Sequence, residues 1–238
     1  MIRIIEIGEF AWQGKTEPIF CHGDDGFEYV VKGRHAGYRA LIAEWVANRL
    51  GQMIGLPIPE IAQMQVEPSV FDYGADKGKL SKLGRGIVFG SRKVLNVDEL
   101  RATDIKRIGI ELRAKVLAFD WWIANSDRIF VQGRGNPNLL WAEDDARLVV
   151  IDHNLAFLPA EMGDFWCNHA FRDAKSLWST SFQKSLGDEF RDALSHLQVI
   201  WNEIPEEWTE FETEFSLATL ESILWKFDTD AAIFWNPL

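Results

Sequence analysis

The 238-residue chain has only two cysteines, Cys21 and Cys167, and neither lies in a CxxC pair or in a Cys/His ligand cluster. This scarcity excludes a disulfide framework and a zinc-finger type of site, so we expect two reduced, partly buried thiols. No uncharged run approaches the ~20 apolar residues that a membrane span requires. The first nine residues alternate apolar and polar side chains and lack the apolar core of a signal peptide. The sequence therefore predicts a cytoplasmic protein.

Positive charge is also scarce, with 25 Lys and Arg residues against 36 Asp and Glu and a formal net charge of −11. A chain this acidic has no broad electrostatic surface for nucleic acid or an anionic membrane, so neither is expected as a partner. The sequence has no GxSxG, GxGxxG, HExxH or GxxxxGK[ST] motif. It therefore lacks the signatures of α/β-hydrolases, Rossmann dehydrogenases, HExxH metalloproteases and P-loop NTPases.

Apolar residues, in contrast, are plentiful: they make up 47% of the chain, which has 11 Trp and 16 Phe. That supply is sufficient for a core in one large domain or two small lobes. The pair Trp121-Trp122 lies in an apolar stretch with helical spacing, and we assign it to this core rather than to a stacking platform.

The chain changes character about a third of the way along. Short apolar or alternating stretches predict four strands, over residues 2–7, 18–22, 27–32 and 60–66. Helical spacing predicts a helix over 38–54 that ends at Gly55, and the Gly-, Lys- and Asp-rich stretch 72–86 is predicted to be an exposed loop.

Beyond Asn96 the pattern is largely helical, with a long helix predicted over 108–125 and two more around 190–201 and 217–227. The acidic run 203–214 is interpreted as a solvated surface, with a docking surface for a basic partner as the alternative. The sequence thus predicts an α+β protein whose β-rich and α-rich parts meet within residues 86–96.

Charged and glycine residues of the β-rich part suggest a phosphate site. Lys32 closes a predicted strand and Glu44 lies in the helix that follows, so packing of that helix on the sheet would bring the two side chains together. A Lys that holds α- and β-phosphates, oriented by a helix Glu, has this arrangement. Gly14 lies in a tight loop between two strands, where backbone N–H groups can approach phosphate oxygens. Each feature taken alone is also common in ordinary surfaces and turns.

Three oxygen-bearing side chains of the second part form a more specific pattern. Asp127 follows a predicted helix, Asn138 precedes an apolar strand, and Asp152 ends the apolar run Leu148–Ile151. A carboxylate at a helix C-terminus, or at the end of a buried strand, is costly without a cation or a hydrogen-bonding partner. Together they supply a proton acceptor, a neutral oxygen ligand and an anionic ligand, as phosphoryl transfer from Mg-ATP requires. The alternative is that they are turn formers around nearby glycines.

The order of these motifs resembles the HipA-like kinases, relatives of the protein kinase and phosphatidylinositol kinase fold. Residues 43–45 and 55–59, which read AEW and GLPIP, are similar to the segment that follows the lysine strand in that family. Residues 125–128 match its N-[ST]-D-R catalytic loop, and Asn138 with the later motif 151–153 resembles its metal-binding motifs.

The resemblance covers residues from about 14 to 157 and implies a two-lobed, protein-kinase-like fold. A small antiparallel β lobe that binds the nucleotide would span residues 1–92. A larger, mainly helical lobe with the catalytic loop and metal-binding strands would span residues 93–238.

The resemblance also implies a role for each candidate residue. Lys32 would bind the α- and β-phosphates, Glu44 would position it, and Asp127 would be the catalytic base. Asn138 and Asp152 would hold Mg²⁺, with Asn136 as a competing ligand. The remaining nucleotide contacts would come from Gly14, Lys15 and Thr16 over the phosphates and from Phe89 and Ser91 near the adenine. Arg128 would either neutralise charge near the transferring phosphate or pair with an acidic residue of its own lobe.

The implied activity is ATP- and Mg²⁺-dependent transfer of the γ-phosphate to a Ser or Thr hydroxyl of a protein. Ile129 and His153 depart from the family pattern and motivate an alternative, a non-catalytic nucleotide-binding module. A small-molecule phosphotransferase of related fold is a further alternative. The resemblance leaves open a cognate regulatory protein, a toxin role of the toxin–antitoxin type, and self-phosphorylation at Thr16.

Overall fold

The structure, a computed structural model, describes residues 1–11, 17–74, 76–210, 212 and 215–237. It has a mixed α+β fold. Eight strands are present in the described residues: β1 (Ile2–Phe10), β2 (Ile19–Gly23), β3 (Glu28–Lys32), β4 (Ile61–Val66), β5 (Ile87–Arg92), β6 (Val97–Glu99), β7 (Leu139–Ala142) and β8 (Arg147–Val150). The helices are α1 (Tyr38–Met53), α2 (Pro68–Tyr73), α3 (Lys77–Leu83), α4 (Ile110–Trp122), α5 (Phe165–Asn168), α6 (Thr180–Ser195), α7 (Leu197–Asn202), α8 (Glu206–Thr209), α9 (Leu217–Leu224), α10 (Lys226–Thr229) and α11 (Ala231–Trp235).

Strands β1 to β5 form a closed barrel in the order β1-β2-β3-β5-β4. The pairs β1–β2, β2–β3, β3–β5 and β4–β5 are antiparallel, whereas β1 and β4 are parallel. The prediction of a purely antiparallel sheet is therefore wrong for the β1–β4 pair. Closure leaves little room inside. A Cβ built on Gly90 of β5 would lie 2.3 Å from Met64 Sδ, so a larger residue there would require the buried Met64 side chain to move.

The long helix α1 lies where its sequence predicts and ends just before Gly55, whose φ of 76° is accessible to glycine at little cost. Nearly all of α1 from Ala40 to Gly51 is buried, because it is enclosed by the barrel on one side and by helices on the other. This enclosure explains why its apolar residues do not form a single stripe.

Two stretches differ from their predictions. The supposed loop 72–86 contains α3, whose N-cap Asp76 accepts from Lys79 N (3.0 Å) and whose Leu80 and Leu83 are buried. The acidic run is not all solvated surface. Trp208 is fully buried and donates from Nε1 to Ile87 O of β5 (2.8 Å), so this run ties the helical part to the barrel.

The helical part is built around α4. Trp122 is buried, stacks on Phe190 of α6 with ring centroids 3.9 Å apart, and donates from Nε1 to Leu224 O (2.8 Å). Trp121 is half-buried in the same aromatic cluster, so the core prediction is confirmed for both. Within the described residues, no helix combines the length and apolar character that a membrane crossing needs.

Strands β6, β7 and β8 form a second, three-stranded sheet. Segment 93–96 leads from the end of β5 at Arg92 to the start of β6 at Val97. The division of the chain into lobes over residues 1–92 and 93–238 remains a prediction.

Candidate active site

A cavity of about 640 Å³ is lined by residues of the barrel, of segment 93–96 and of the second sheet. The predicted site residues that line it are Lys32, Glu44, Phe89, Ser91, Asn138 and Asp152. Gly14, Lys15 and Thr16 lie outside the described residues. The residues that flank them, Ala11 and Pro18, line the cavity, and Ala11 N donates to Pro18 O (2.8 Å).

Lys32 lies between two carboxylates at the end of β3. Its Nζ donates to Glu44 Oε1 (2.5 Å) and to Asp152 Oδ1 (2.5 Å), and only 6% of its side chain is exposed. Burial by itself would lower the pKa of Lys32, but the charges of Asp152 and Glu44 outweigh it and raise this pKa above its usual range. The structure thus brings together three residues spread over 120 positions of the sequence, and the ammonium of Lys32 stays charged.

Glu44 has hydrogen-bond partners on both carboxylate oxygens. While Oε1 accepts from Lys32, Oε2 accepts from Asn48 Nδ2 (2.8 Å) and from His153 N (3.2 Å). Burial raises the pKa of Glu44 and Lys32 opposes that shift. A buried carboxylate with every oxygen engaged has a fixed orientation, which suits a residue that positions a lysine.

Asp127 contacts the cavity wall through Asn138, whose Nδ2 donates to Asp127 Oδ2 (3.0 Å). Burial raises the pKa of Asp127, and the hydrogen bond from Asn138 opposes that shift. This bond leaves the amide oxygen of Asn138 for another partner. Asn136, the competing ligand, also lines the cavity, and its Oδ1 accepts from Asn138 N (3.2 Å), as in an Asx turn.

Asn138 and Asp152 share an uncommon backbone conformation, with φ of 50° and 58°. Non-glycine residues seldom adopt this left-handed region, and they cluster at functional sites when they do. Ile151 N donates to Asn138 O (3.1 Å), which places the two residues side by side at adjoining strand ends.

The amide oxygen of Asn138 and the carboxylate of Asp152 fit a magnesium ion. Mg²⁺ is commonly held by one or two carboxylates together with substrate phosphates rather than by a cage of protein ligands. No group of three or more His, Cys, Asp or Glu residues in the described part of the chain has the arrangement of a metal site.

Arg128 pairs with an acidic residue, which is one of the two roles expected for it. Its side chain is fully buried and forms a two-pronged ion pair with Asp120, with Nε–Oδ2 and Nη2–Oδ1 distances of 2.6 and 3.1 Å. The guanidinium has no exposed surface for a direct contact with a phosphate. Its Nη1 donates to the carbonyl oxygens of Pro137 (3.2 Å), Asn138 (2.6 Å) and Ile151 (3.3 Å), next to both candidate metal ligands.

Asp120 is the main residue that the motifs did not reveal. Besides Arg128, it accepts from His169 Nε2 (2.9 Å) and Asn125 Nδ2 (2.9 Å). Burial would raise its pKa, but the charge of Arg128 and the His169 bond hold that pKa well below its usual range. A lone carboxylate in the apolar run Phe119–Trp122 was the available indication.

His153, which departs from the family pattern, is part of the same network. Burial lowers its pKa to about 3, so the ring is neutral and its Nε2 accepts from Arg128 Nη2 (3.2 Å). Its ring packs edge-on against Phe119 with centroids 5.8 Å apart. The histidine thus fills a buried site and adds one side-chain hydrogen bond, while its Nδ1 has no partner among the described residues. Ile129, the other departure, is partly exposed and forms a β-bridge with His169.

Most of the chain matches a family model and is covered by a similar solved structure. The family model described as "HipA-like kinase" matches residues 4–238. Among solved structures, the crystal structure of a Helicobacter pylori proinflammatory kinase, CtkA, is similar with a TM-score of 0.48 and 13% identity, covering 92% of this chain and 90% of that chain. No curated protein matches.

Proposed function

Because the chain belongs to the HipA-like kinase family, we propose that it transfers the γ-phosphate of ATP to a Ser or Thr hydroxyl of a protein, with Mg²⁺ as cofactor. The observation that carries the proposal is the placement of Lys32 between Glu44 and Asp152 in the wall of a nucleotide-sized cavity. A buried lysine oriented by a helix glutamate, next to a metal-binding aspartate, is the arrangement that kinases use for ATP phosphates.

The cavity walls suit the other parts of ATP. Apolar residues of the barrel, Phe20 and Val30, and of the second sheet, Leu139, line it and offer faces for the base. Phe89 and Ser91 would lie near the adenine, and segment 93–96 lines the same cavity. Gly14, Lys15 and Thr16 would cover the phosphates, since the residues on either side of them line the cavity.

In the transfer step, the acceptor hydroxyl oxygen forms a bond to the γ-phosphorus while the bond to the ADP oxygen breaks. Asp127 orients the hydroxyl and accepts its proton, and Asn138 fixes Asp127 through the bond to Oδ2. Lys32 contacts the α- and β-phosphates and stabilises the charge that develops on ADP. A magnesium ion held by Asn138 and Asp152 would neutralise charge on the β- and γ-phosphates.

The departures at Ile129 and His153 do not displace any of these groups. His153 is neutral and its side chain is buried. The side chain of Ile129 is partly exposed, and Asp127 keeps its hydrogen bond to Asn138. These contacts favour a kinase over the non-catalytic module.

Incubation with γ-labelled ATP, Mg²⁺ and cell lysate, followed by separation of protein and small-molecule fractions, tests the proposal. We expect label in protein, at Ser or Thr, and a loss of more than about 100-fold for Asp127→Asn. The control is Asp192→Asn, a substitution at an exposed position of α6, which should leave the transfer of label unchanged. Label found only in small molecules would show that the acceptor is a small molecule and not a protein. Stabilisation by ATP and Mg²⁺ without any labelled product would support the non-catalytic module.

A further inference from the structure

Arg39 lies in the first turn of α1, and its guanidinium reaches the segment that follows Asp152. Nη2 donates to the carbonyl oxygens of Ala156 (2.8 Å) and Phe157 (3.3 Å), and Nη1 donates to that of Asn154 (3.4 Å). One side chain therefore gathers three carbonyl groups of a four-residue stretch, for which the planar fork of arginine is suited and the single ammonium of lysine is not.

Helix α1 holds this segment at both ends. Glu44, five residues after Arg39, accepts from His153 N at the start of the segment (3.2 Å), while Arg39 binds its later carbonyls. Because Glu44 also orients Lys32, a shift of α1 would move the lysine and the backbone next to Asp152 together.

The far side of the segment is joined to the catalytic loop. Phe157 N donates to Ile123 O (2.6 Å) and Leu158 N donates to Ala124 O (3.2 Å), at the end of α4 and three residues before Asp127. A continuous set of hydrogen bonds thus runs from Arg39 through residues 154–158 to the backbone that carries Asp127.

The segment holds backbone conformations that need outside support. Asp152 and Phe157, at its two ends, have φ of 58° and 63°, and such residues persist only where surrounding contacts fix them. Arg39 binds at the Phe157 end, and both side chains pack on Phe215, with the Arg39 Cζ 5.0 Å and the Phe157 centroid 5.7 Å from that ring.

Burial lowers the pKa of Arg39, and the charge of Glu212 opposes that shift. In the part of the chain that the structure describes, the hydrogen bonds of the guanidinium go to backbone carbonyl oxygens, and charge-assisted bonds to three carbonyls specify a backbone path.

We propose that Arg39 is a positioning residue that fixes the backbone after Asp152, so that Asp152 and Lys32 are set in register by the same helix. The inference rests on the proposed kinase function for its catalytic consequence, but its structural part concerns the protein without ligands.

Hydrogen exchange of the ligand-free protein tests the structural part. In Arg39→Ala we expect the amides of Phe157 and Leu158 to exchange about tenfold faster or more, because the segment they anchor is loosened. The matched control is Arg49→Ala, on the same helix, where the arginine pairs with Glu203 (3.1 Å) instead. Unchanged exchange at both amides in Arg39→Ala would overturn the inference.

Kinetics test the catalytic part. Arg39→Ala should lower kcat by about 10- to 100-fold and raise the Mg²⁺ concentration for half-maximal rate, while KM for ATP changes little because Lys32 keeps Glu44. Arg39→Lys should recover only part of kcat, and millimolar methylguanidinium should partly rescue Arg39→Ala. Equal kcat in wild type and Arg39→Ala would overturn the inference. A wild-type protein that transfers no phosphate would instead contradict the proposed kinase function. The hydrogen-exchange experiment alone would then test whether Arg39 fixes the backbone after Asp152.

Discussion

Replacement of Asp120 by asparagine should destabilise the protein far more than its conservative chemistry suggests. Asp120 and Arg128 have no exposed side-chain surface, and the two ion-pair contacts between them are 2.6 and 3.1 Å long. Asparagine keeps the volume of aspartate, so no cavity forms, but the guanidinium is left as an uncompensated buried charge. Removal of one partner from such a pair costs about 3–5 kcal/mol of the free energy of unfolding.

That cost is a large share of the stability of a typical domain, about 5–15 kcal/mol. Urea unfolding followed by tryptophan fluorescence measures it, since Trp122 lies two residues from the substitution. The control is Asp188→Asn, which removes an equally short Arg pair (2.6 Å) at the surface of α6, where 62% of the aspartate is exposed. That variant should have a nearly unchanged midpoint. Equal midpoints for wild type and Asp120→Asn would refute the reasoning.

Three further predictions concern Asp120, Lys32 and Gly90. The pKa of Asp120 in the folded protein is below its value of about 3.9 in the unfolded chain. Its contribution to stability is therefore present above about pH 3.9 and is lost as the pH falls towards the folded pKa. The difference between the urea midpoints of wild type and Asp120→Asn should be constant from pH 5 to 8 and should become smaller below about pH 4. Lys32→Met should abolish the rise in melting temperature that ATP and Mg²⁺ give to the wild type, since the phosphates lose their buried cation; an equal rise in both proteins would contradict the assigned role. Gly90→Ala should lower the free energy of unfolding by about 1–3 kcal/mol, measured by the same urea assay, because its Cβ would overlap Met64 inside the barrel.

The parts of the fold that the sequence predicts well are those specified by local pattern. Helix α1 has apolar residues at helical spacing and a glycine at its end, so its bounds follow from short-range chemistry. Helix α3 escaped prediction because its glycine and lysines resemble a loop, and its burial depends on Leu80 and Leu83 meeting a barrel that only the folded chain provides. The parallel pairing of β1 with β4 joins distant strands in the same way and has no local signature.

The candidate site likewise contains residues that the sequence identifies and residues that it does not. Lys32, Asp127, Asn138 and Asp152 carry recognisable chemistry at element ends, and the structure brings all four to one region. The buried residues that fix the position of these four could not be predicted, for a physical reason. The apolar neighbours of Asp120 indicate a buried carboxylate, but its partners Arg128 and His169 are set by tertiary packing and have no local pattern in the sequence. Arg128 was noticed for its position beside Asp127, but its direction, into the core rather than towards the nucleotide, depends on Asp120.

The Asp120–Arg128 pair is better explained by geometry than by stability. A buried ion pair contributes little net free energy compared with apolar residues of similar volume, because the desolvation of both charges offsets their attraction. An apolar pair, however, has no donors for the carbonyl groups of Asn138 and Ile151, which Arg128 joins through one nitrogen. Those two carbonyls belong to the backbone that places the amide of Asn138 and the carboxylate of Asp152. The guanidinium of Arg128 therefore holds together the backbone that carries the two candidate metal ligands, and Asp120 is the residue that makes a buried charge tolerable there.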